Sequence, residues 1–324
     1  MVVNLGIGLA VAAPASGGVA LDLRASRAER AAEDRWPAKG QFVEIAGTRV
    51  HYVQAGDGPD VVLLHGAGGN LRDFTYGLTD ALTQHYRVTA FDRPGLGYTG
   101  RASEAYGGAF NPRAESPQVQ AALLAGAAQA IGLKRPVVVG HSFGGAVAMA
   151  WALEHEAAAV VSLAGAIMPW PGGLDAQYRL IGSRLGGALV PPAVTALTDP
   201  MSTAETVGRI FAPQAVPEGY LAHVGPGLTL RRATLRANGR QVNVLRPALE
   251  QMSTRYDTLD LPVELLHGTA DTIVGLDIHS RGAAALLPDA ALTVLEDVGH
   301  MPHHARPGAA LEAIHRAARR AGLR

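Results

Sequence analysis

Val137-Val138-Val139-Gly140-His141-Ser142-Phe143-Gly144-Gly145-Ala146-Val147-Ala148-Met149-Ala150 is the stretch on which the fold turns. Three consecutive valines predict a strand buried on both faces, the alanine-rich run after Gly145 predicts a helix, and the pattern G-x-S-x-G stands between them. A serine at the apex of so sharp a turn is forced into a strained backbone conformation. Glycines two residues to either side let strand and helix approach closely enough to make the turn. The arrangement lifts the Ser142 hydroxyl to the sheet edge, where it can act as a nucleophile if a base and an orienting acid reach it. Without those partners it is a solvent-facing serine in a glycine-rich junction.

Working outward, strand-like apolar runs recur at 61–65, 87–92, 160–164, 263–267 and 292–296, and a hairpin is expected over 41–54 with its turn at Ala46-Gly47. Helical patterns fall at 118–131, 145–154 and 278–287. This alternation predicts an α/β fold, a doubly wound, mostly parallel sheet flanked by helices, with ligands bound outside the carboxyl ends of the strands. From 168 to 260 no strand pattern appears, which predicts an inserted helical cap. The expected organisation is an N-terminal arm at 1–36, a core at 37–167 and 261–324, and the cap at 168–260.

Composition narrows the function. The 324 residues carry 28 basic and 28 acidic side chains, the basic ones dispersed, so no nucleic-acid partner is expected. The absence of cysteine excludes disulfides, thiolate nucleophiles and cysteine-ligated metals. The run from Leu5 to Ala13 has the length of a secretory apolar segment and ends in Ala13-Pro14-Ala15, yet no Lys or Arg precedes it. The arm is therefore read as an extension, poorly packed or export-related, with a solvated helix over 24–35. Cytoplasm is the default location, and export is the alternative raised by Leu5 to Ala13. Membrane association is expected only through this segment, and a homodimer is compatible with the sequence.

A serine hydroxyl needs a base, itself oriented by a carboxylate, in the chain order Ser, acid, His. The acid candidate is Asp271, just after the run at 263–267 and the turn Gly268-Thr269-Ala270. The base candidate is His300, set after Gly299 beyond the last strand. Asp92 precedes the serine and Asp297 lies too near His300 in sequence, so both rank below Asp271. His141 is expected to point away from the elbow, and His51, His65, His85, His155, His267 and His315 read as strand ends or filler. His65-Gly66-Ala67-Gly68-Gly69-Asn70 forms a glycine-rich turn that can aim backbone N–H groups at a developing oxyanion, with Ala67 and Phe143 as donors. Gly66 and Asn70 are candidate substrate contacts.

Other patterns lead nowhere. Gly95-Leu96-Gly97-Tyr98-Thr99-Gly100 matches G-x-G-x-x-G, but no helix follows to receive a phosphate, so no nicotinamide cofactor, and indeed no cofactor of any kind, is expected. His300, His303 and His304 with Asp297 suggest a metal, but Pro302 interrupts any helix that would align two imidazoles, and no metal is expected. Arg231, Arg232, Arg236 and Arg240 read as a solvated helix face, the alternative being a reception for an acidic substrate. Trp170, Tyr178, Phe211 and Tyr220 read as the cap's own core.

On His65-Gly66, Phe91-Asp92-Arg93-Pro94-Gly95-Leu96-Gly97, Gly140 to Gly144, His267-Gly268-Thr269-Ala270-Asp271 and Gly299-His300, the chain resembles the α/β-hydrolase fold superfamily over roughly 41–320, in its capped branch. That branch includes esterases, carbon–carbon bond hydrolases, haloperoxidases, dehalogenases and epoxide hydrolases. The last two use an aspartate where this chain has Ser142, which disfavours them. Proline-releasing peptidases show a proline in the first glycine loop, absent here. The resemblance thus implies a serine hydrolase without a cofactor, acting on a small molecule, with carboxylic esters of small to medium apolar acids as the leading substrates. A hydrolase of diketo-dienoic acids, relying on Asn70 and the cap arginines, and a non-catalytic ligand carrier are the alternatives.

Overall fold

The computed structural model describes residues 15–324. At its centre lies an eight-stranded sheet of β1 (Gln41–Ile45), β2 (Thr48–Ala55), β3 (Asp60–Leu64), β4 (Arg87–Phe91), β5 (Val137–His141), β6 (Ala159–Leu163), β7 (Val263–Gly268) and β8 (Ala290–Leu295), in the spatial order β1-β2-β4-β3-β5-β6-β7-β8. The hairpin β1–β2 joins β4 antiparallel, and the six strands from β4 to β8 are mutually parallel. This is the expected sheet, with strand ends displaced by one or two residues. Ala46 and Gly47 adopt φ of 50° and 79°, the left-handed values that a two-residue hairpin loop requires.

Successive side chains of β3 point to opposite faces. Val61 and Leu63 join Val137, Val139 and Val161 in one core, while Val62 and Leu64 join Val138 and Val160 in the other. Both faces are covered, so the strands read as continuous apolar runs rather than alternating ones. Val61, Val62, Leu63 and Leu64 are fully buried, a gain of about 1.5–3 kcal/mol for each side chain.

The longer helices are α1 (Ala15–Arg35), α2 (Pro117–Ala130), α3 (Phe143–Glu154), α4 (Ala176–Gly182), α5 (Arg184–Leu197), α6 (Ala204–Phe211), α7 (Arg232–Met252) and α8 (Pro307–Arg320). Ser116 starts α2 by accepting from the Val119 N–H, with Pro117 in the first turn where no N–H is needed. Helices α2 and α3 supply one core and α8 the other. Between β6 and β7 the chain leaves the sheet and builds α4 to α7 over the strands' carboxyl ends, without a strand, as the pattern over 168–260 predicts. In place of one helix over 278–287 stand a π-helical turn, Asp277–Arg281, and the short Gly282–Ala284. The wider turn brings Ser280 against the buried His267, 2.7 Å away.

The arm departs from expectation. Helix α1 begins at Ala15 and is docked by one face while the other stays solvated: Ala25, Ala32 and Trp36 are buried, Arg24, Arg27 and Arg30 are exposed, and Trp36 Nε1 donates to the Ala222 carbonyl at 2.7 Å. Arg232 of the cap ties Ser26 and Glu29 from about two hundred residues away, a pairing that no local pattern encodes. Leu5 to Ala13 lie outside the described residues. Among those described, no single helix is long and apolar enough to cross a membrane.

Candidate active site

Ser142 links β5 to α3 at φ 53° and ψ −119°, a conformation that side chains rarely adopt. The flanking glycines show why the turn is possible. A Cβ on Gly140 would stand 2.2 Å from the Gly144 carbonyl oxygen, and one on Gly144 would stand 2.0 Å from that of Leu64. The strain is held by backbone bonds, since the Ser142 N–H donates to Leu163 and its carbonyl accepts from Gly145 and Ala166.

Asp271 lies three residues beyond β7 and is buried. One carboxylate oxygen, Oδ1, accepts the N–H groups of Ile273 and Val274 at 2.8 and 2.9 Å. The other, Oδ2, lies 2.7 Å from His300 Nδ1 and 3.2 Å from His267 Nε2. Burial alone would raise this carboxyl, but the hydrogen bonds from His267 and His300, the charge on His300 and the Val274 N–H outweigh it and hold the group well below the usual carboxylate range. His300 follows β8, and its Nε2 is the ring nitrogen left over for chemistry. Gly299 can be nothing larger, because a Cβ there would sit 2.0 Å from the Ala212 carbonyl oxygen of the cap.

Both competitors are placed elsewhere. Asp92 accepts from His51, Leu71 and Tyr98 as the buried hub of a structural knot. Gly97, at φ 51°, leaves the space that this carboxylate fills, which accounts for the second glycine of the 95–100 pattern. Asp297 is exposed.

The 65–70 turn comes so close to the elbow that a Cβ on Gly66 would lie 3.1 Å from Ser142 Cβ. Sequence reasoning missed what holds it. Arg93, fully buried, donates to the His65 and Gly66 carbonyls at 2.8 and 2.9 Å and lies over the Phe143 ring at 4.3 Å. Burial pushes this guanidinium down to about 9. Among the described residues the Ala67 N–H has no acceptor, and Ala67 lines the cavity. The Phe143 N–H, at the first position of α3, has no acceptor within its helix. The cap grips the same turn, Gly68 donating to Asn238 and accepting from Thr229. Asn70 faces the cavity, but its side chain already donates to Val224 and accepts from the Arg72 N–H.

Ser142, His300, Ala67, Phe143, Gly66 and Asn70 all line one cavity of about 650 Å³ beneath the cap. Trp170, Tyr178, Phe211 and Tyr220 line it too, so they form the cavity wall and not merely the cap's own core. Neither Lys nor Arg is among its lining residues. The cap arginines are neither a solvated face nor a substrate reception. Arg231 and Arg232 bind Glu33 and Glu29 of α1, and Arg236 and Arg240 donate to the carbonyls of Gly187, Gly108 and Ala109.

His141 also departs from its reading, since it faces the cavity and its Nε2 lies 2.9 Å from the His300 carbonyl oxygen. Behind it, Asp73 pairs with His304 at 2.8 Å and His303 at 3.2 Å and accepts from the Tyr220 hydroxyl. Pro302 opens the short helix Pro302–Ala305 instead of separating the two imidazoles. Three ligand atoms of Asp73, His303 and His304 lie within 4.8 Å of one another, spacing a metal could use. The same contacts also balance the carboxylate without one: burial would raise Asp73, and the two imidazoles hold it well below its ordinary range.

A family model described as Alpha/beta hydrolase family matches residues 61–314. The uncharacterized protein Rv2715 of Mycobacterium tuberculosis is 27% identical over 302 residues, which cover 89% of this chain and 83% of that protein. The 2-hydroxy-6-oxo-2,4-heptadienoate hydrolase of Pseudomonas putida is 27% identical over 270 residues, 81% of this chain and 89% of the relative. Among solved structures, a putative aryl esterase from Burkholderia cenocepacia superposes with a TM-score of 0.68 at 21% identity, over 88% of this chain and all of the other.

Proposed function

This chain belongs to the alpha/beta hydrolase family, and from that premise we propose that it is a serine hydrolase that needs no cofactor and cleaves uncharged carboxylic esters of small to medium apolar acids. The observation that carries this reading is the Asp271–His300 pair, 2.7 Å apart, whose imidazole lines the same cavity as the strained Ser142. Ser142 Oγ attacks the ester carbonyl while His300 Nε2 takes its proton. The Ala67 and Phe143 N–H groups stabilise the oxyanion, and His300 then gives the proton to the departing alkoxide. Water attacks the acyl-enzyme by the same route in reverse. Asp271 keeps the imidazole in the tautomer that this sequence needs.

The lining of the cavity argues against a diketo-dienoic acid. A carboxylate brought into this pocket finds neither Lys nor Arg there to offset its desolvation. A volume of about 650 Å³ suits a small-molecule ligand, and the apolar and aromatic wall suits an apolar acyl group.

The test is a panel of p-nitrophenyl esters of graded acyl length, with lactones and a diketo-dienoic acid alongside and Ser142→Ala as blank. A kcat/KM that peaks at intermediate acyl length is expected, with fluorophosphonate labelling of Ser142 that falls steeply in His300→Ala. Turnover of the diketo acid above that of the esters would overturn the substrate assignment. Equal labelling of the wild type and His300→Ala would overturn the mechanism, and ligand binding without any turnover would make the protein a carrier.

A further inference from the structure

The cap turns an apolar face to the outside that none of the preceding chemistry uses. Helix α5 carries a single ionic side chain, Arg184 at its first position, and its outward stripe is Leu185, Leu189 and Leu197, each 64–67% exposed. Helix α1 packs alongside it. At 100° per residue, Val19 and Leu23 of α1 project away from the buried Ala25 and Ala32, and they are 63% and 53% exposed. Leu180, on α4 next to the cavity-lining Ile181, adds to the exposed set. The residues that precede α1, Met1 to Pro14, contain no acidic or basic side chain.

Charge identifies what such a face meets. Arg24, Arg27 and Arg30 on α1, Arg179 on α4 and Arg184 on α5 are exposed, and among the described residues no carboxylate forms an ion pair with them. Of the four acidic residues of α1, Asp22, Glu29 and Glu33 are already occupied by Arg231 and Arg232, and Asp34 alone is exposed and outside any ion pair among the described residues, beside three unpaired arginines, Arg24, Arg27 and Arg30. Leucines flanked by unpaired arginines are the composition of a helix that lies in a lipid interface. A second copy meeting this face through a two-fold axis would bring like charges together. Interfacial docking, not spanning, is the mode the geometry suits, because 14 residues of α5 reach only about 21 Å against a hydrocarbon core of about 30 Å, and α4 and α5, long and apolar enough together, are bent by 103° to one another.

We propose that the α5 stripe, together with the outer side of α1, docks the protein on an anionic lipid surface, with the cap and its cavity held at the interface. The inference does not depend on the ester reading, since it concerns binding alone. The test is co-sedimentation of the full chain with extruded vesicles of phosphatidylcholine or of phosphatidylcholine and phosphatidylglycerol in equal parts, at low and high salt. Stronger binding to the anionic vesicles, weakened by salt, is expected. Leu185→Glu/Leu189→Glu should bind them about tenfold or more weakly, while its circular dichroism melt stays near that of the wild type. Arg24→Gln/Arg27→Gln/Arg30→Gln should lose most of the preference for anionic over neutral lipid. Equal binding of wild type and the leucine variant to anionic vesicles would overturn the proposal, as would no vesicle binding by the wild type. So would a leucine variant that changes only from dimer to monomer in light scattering, which would make the face a contact between copies.

Discussion

Replacing Asp271 by Asn probes the site at its most constrained atom. In the wild type, Oδ1 accepts two backbone N–H groups while Oδ2 faces two imidazoles, at 2.7 Å from His300 and 3.2 Å from His267. An asparagine has one acceptor to offer. Two backbone donors hold its oxygen in the Oδ1 place, so the NH₂ group must face His300 Nδ1. Two donors cannot share a proton position, so the imidazole gives up its Nδ1 proton and carries one on Nε2, the nitrogen that has to accept from Ser142. The tautomer is then wrong for general-base catalysis, a change the triad template associates with a loss of about 10³ to 10⁴ in kcat. At about 1.4 kcal/mol per factor of ten, this amounts to roughly 4–5.5 kcal/mol of transition-state stabilisation. KM should move little, because Asp271 lies behind His300 and does not meet the substrate. The assay is steady-state hydrolysis of the best p-nitrophenyl ester, with active-site titration and a melting curve to confirm a folded enzyme. A loss under tenfold with the fold intact would refute the reasoning and transfer the acid role, with Asp297→Asn the next variant to measure.

Three further outcomes follow from the packing. His65 and His279 are both pushed down to about 4, chiefly by burial, and each accepts a backbone N–H, from Arg93 and Met168 respectively, which a protonated ring could not do. The unfolded chain protonates them near 6.5, so between about pH 6.5 and 4 it binds more protons than the folded one, and stability falls as pH is lowered through that window by on the order of 3 kcal/mol for each histidine. Urea midpoints at pH 7 and pH 4.5 should show this fall, and equal midpoints would contradict it. Gly144→Ala should prevent folding or cost several kcal/mol, because its Cβ would enter the Leu64 carbonyl, whereas Gly208→Ala, inside α6 with open space around it, should stabilise by about 0.5–1 kcal/mol. Thermal melts of the two variants shifting in the same direction would refute that contrast. Arg232→Ala should release α1, which it holds through Ser26 and Glu29, and limited proteolysis should then cut within α1 faster than in the wild type.

The parallel sheet, the sharp turn at Ser142 and the positions of Asp271 and His300 just after their strands were legible in the sequence because each is written locally. A run of valines marks a strand buried on both faces, and glycines at fixed offsets mark a backbone approach that no Cβ survives. The absence of strand pattern over 168–260 marked the cap for the same reason. What the sequence left open were relations between residues far apart in the chain. Arg93 reads as one more residue in a glycine-rich run until the fold brings it beneath the His65 and Gly66 carbonyls. Arg231 and Arg232 read as part of a solvated face until α1, about two hundred residues earlier, supplies their carboxylates. His141 was expected to turn away from the elbow, and Trp170, Tyr178, Phe211 and Tyr220 to fill the cap, but all five line the cavity that forms where cap and sheet meet. Backbone patterns follow from sterics within a few residues. The partner of a buried charge, or the side of a helix that faces a cavity, depends on which surfaces meet, and only the tertiary structure decides that.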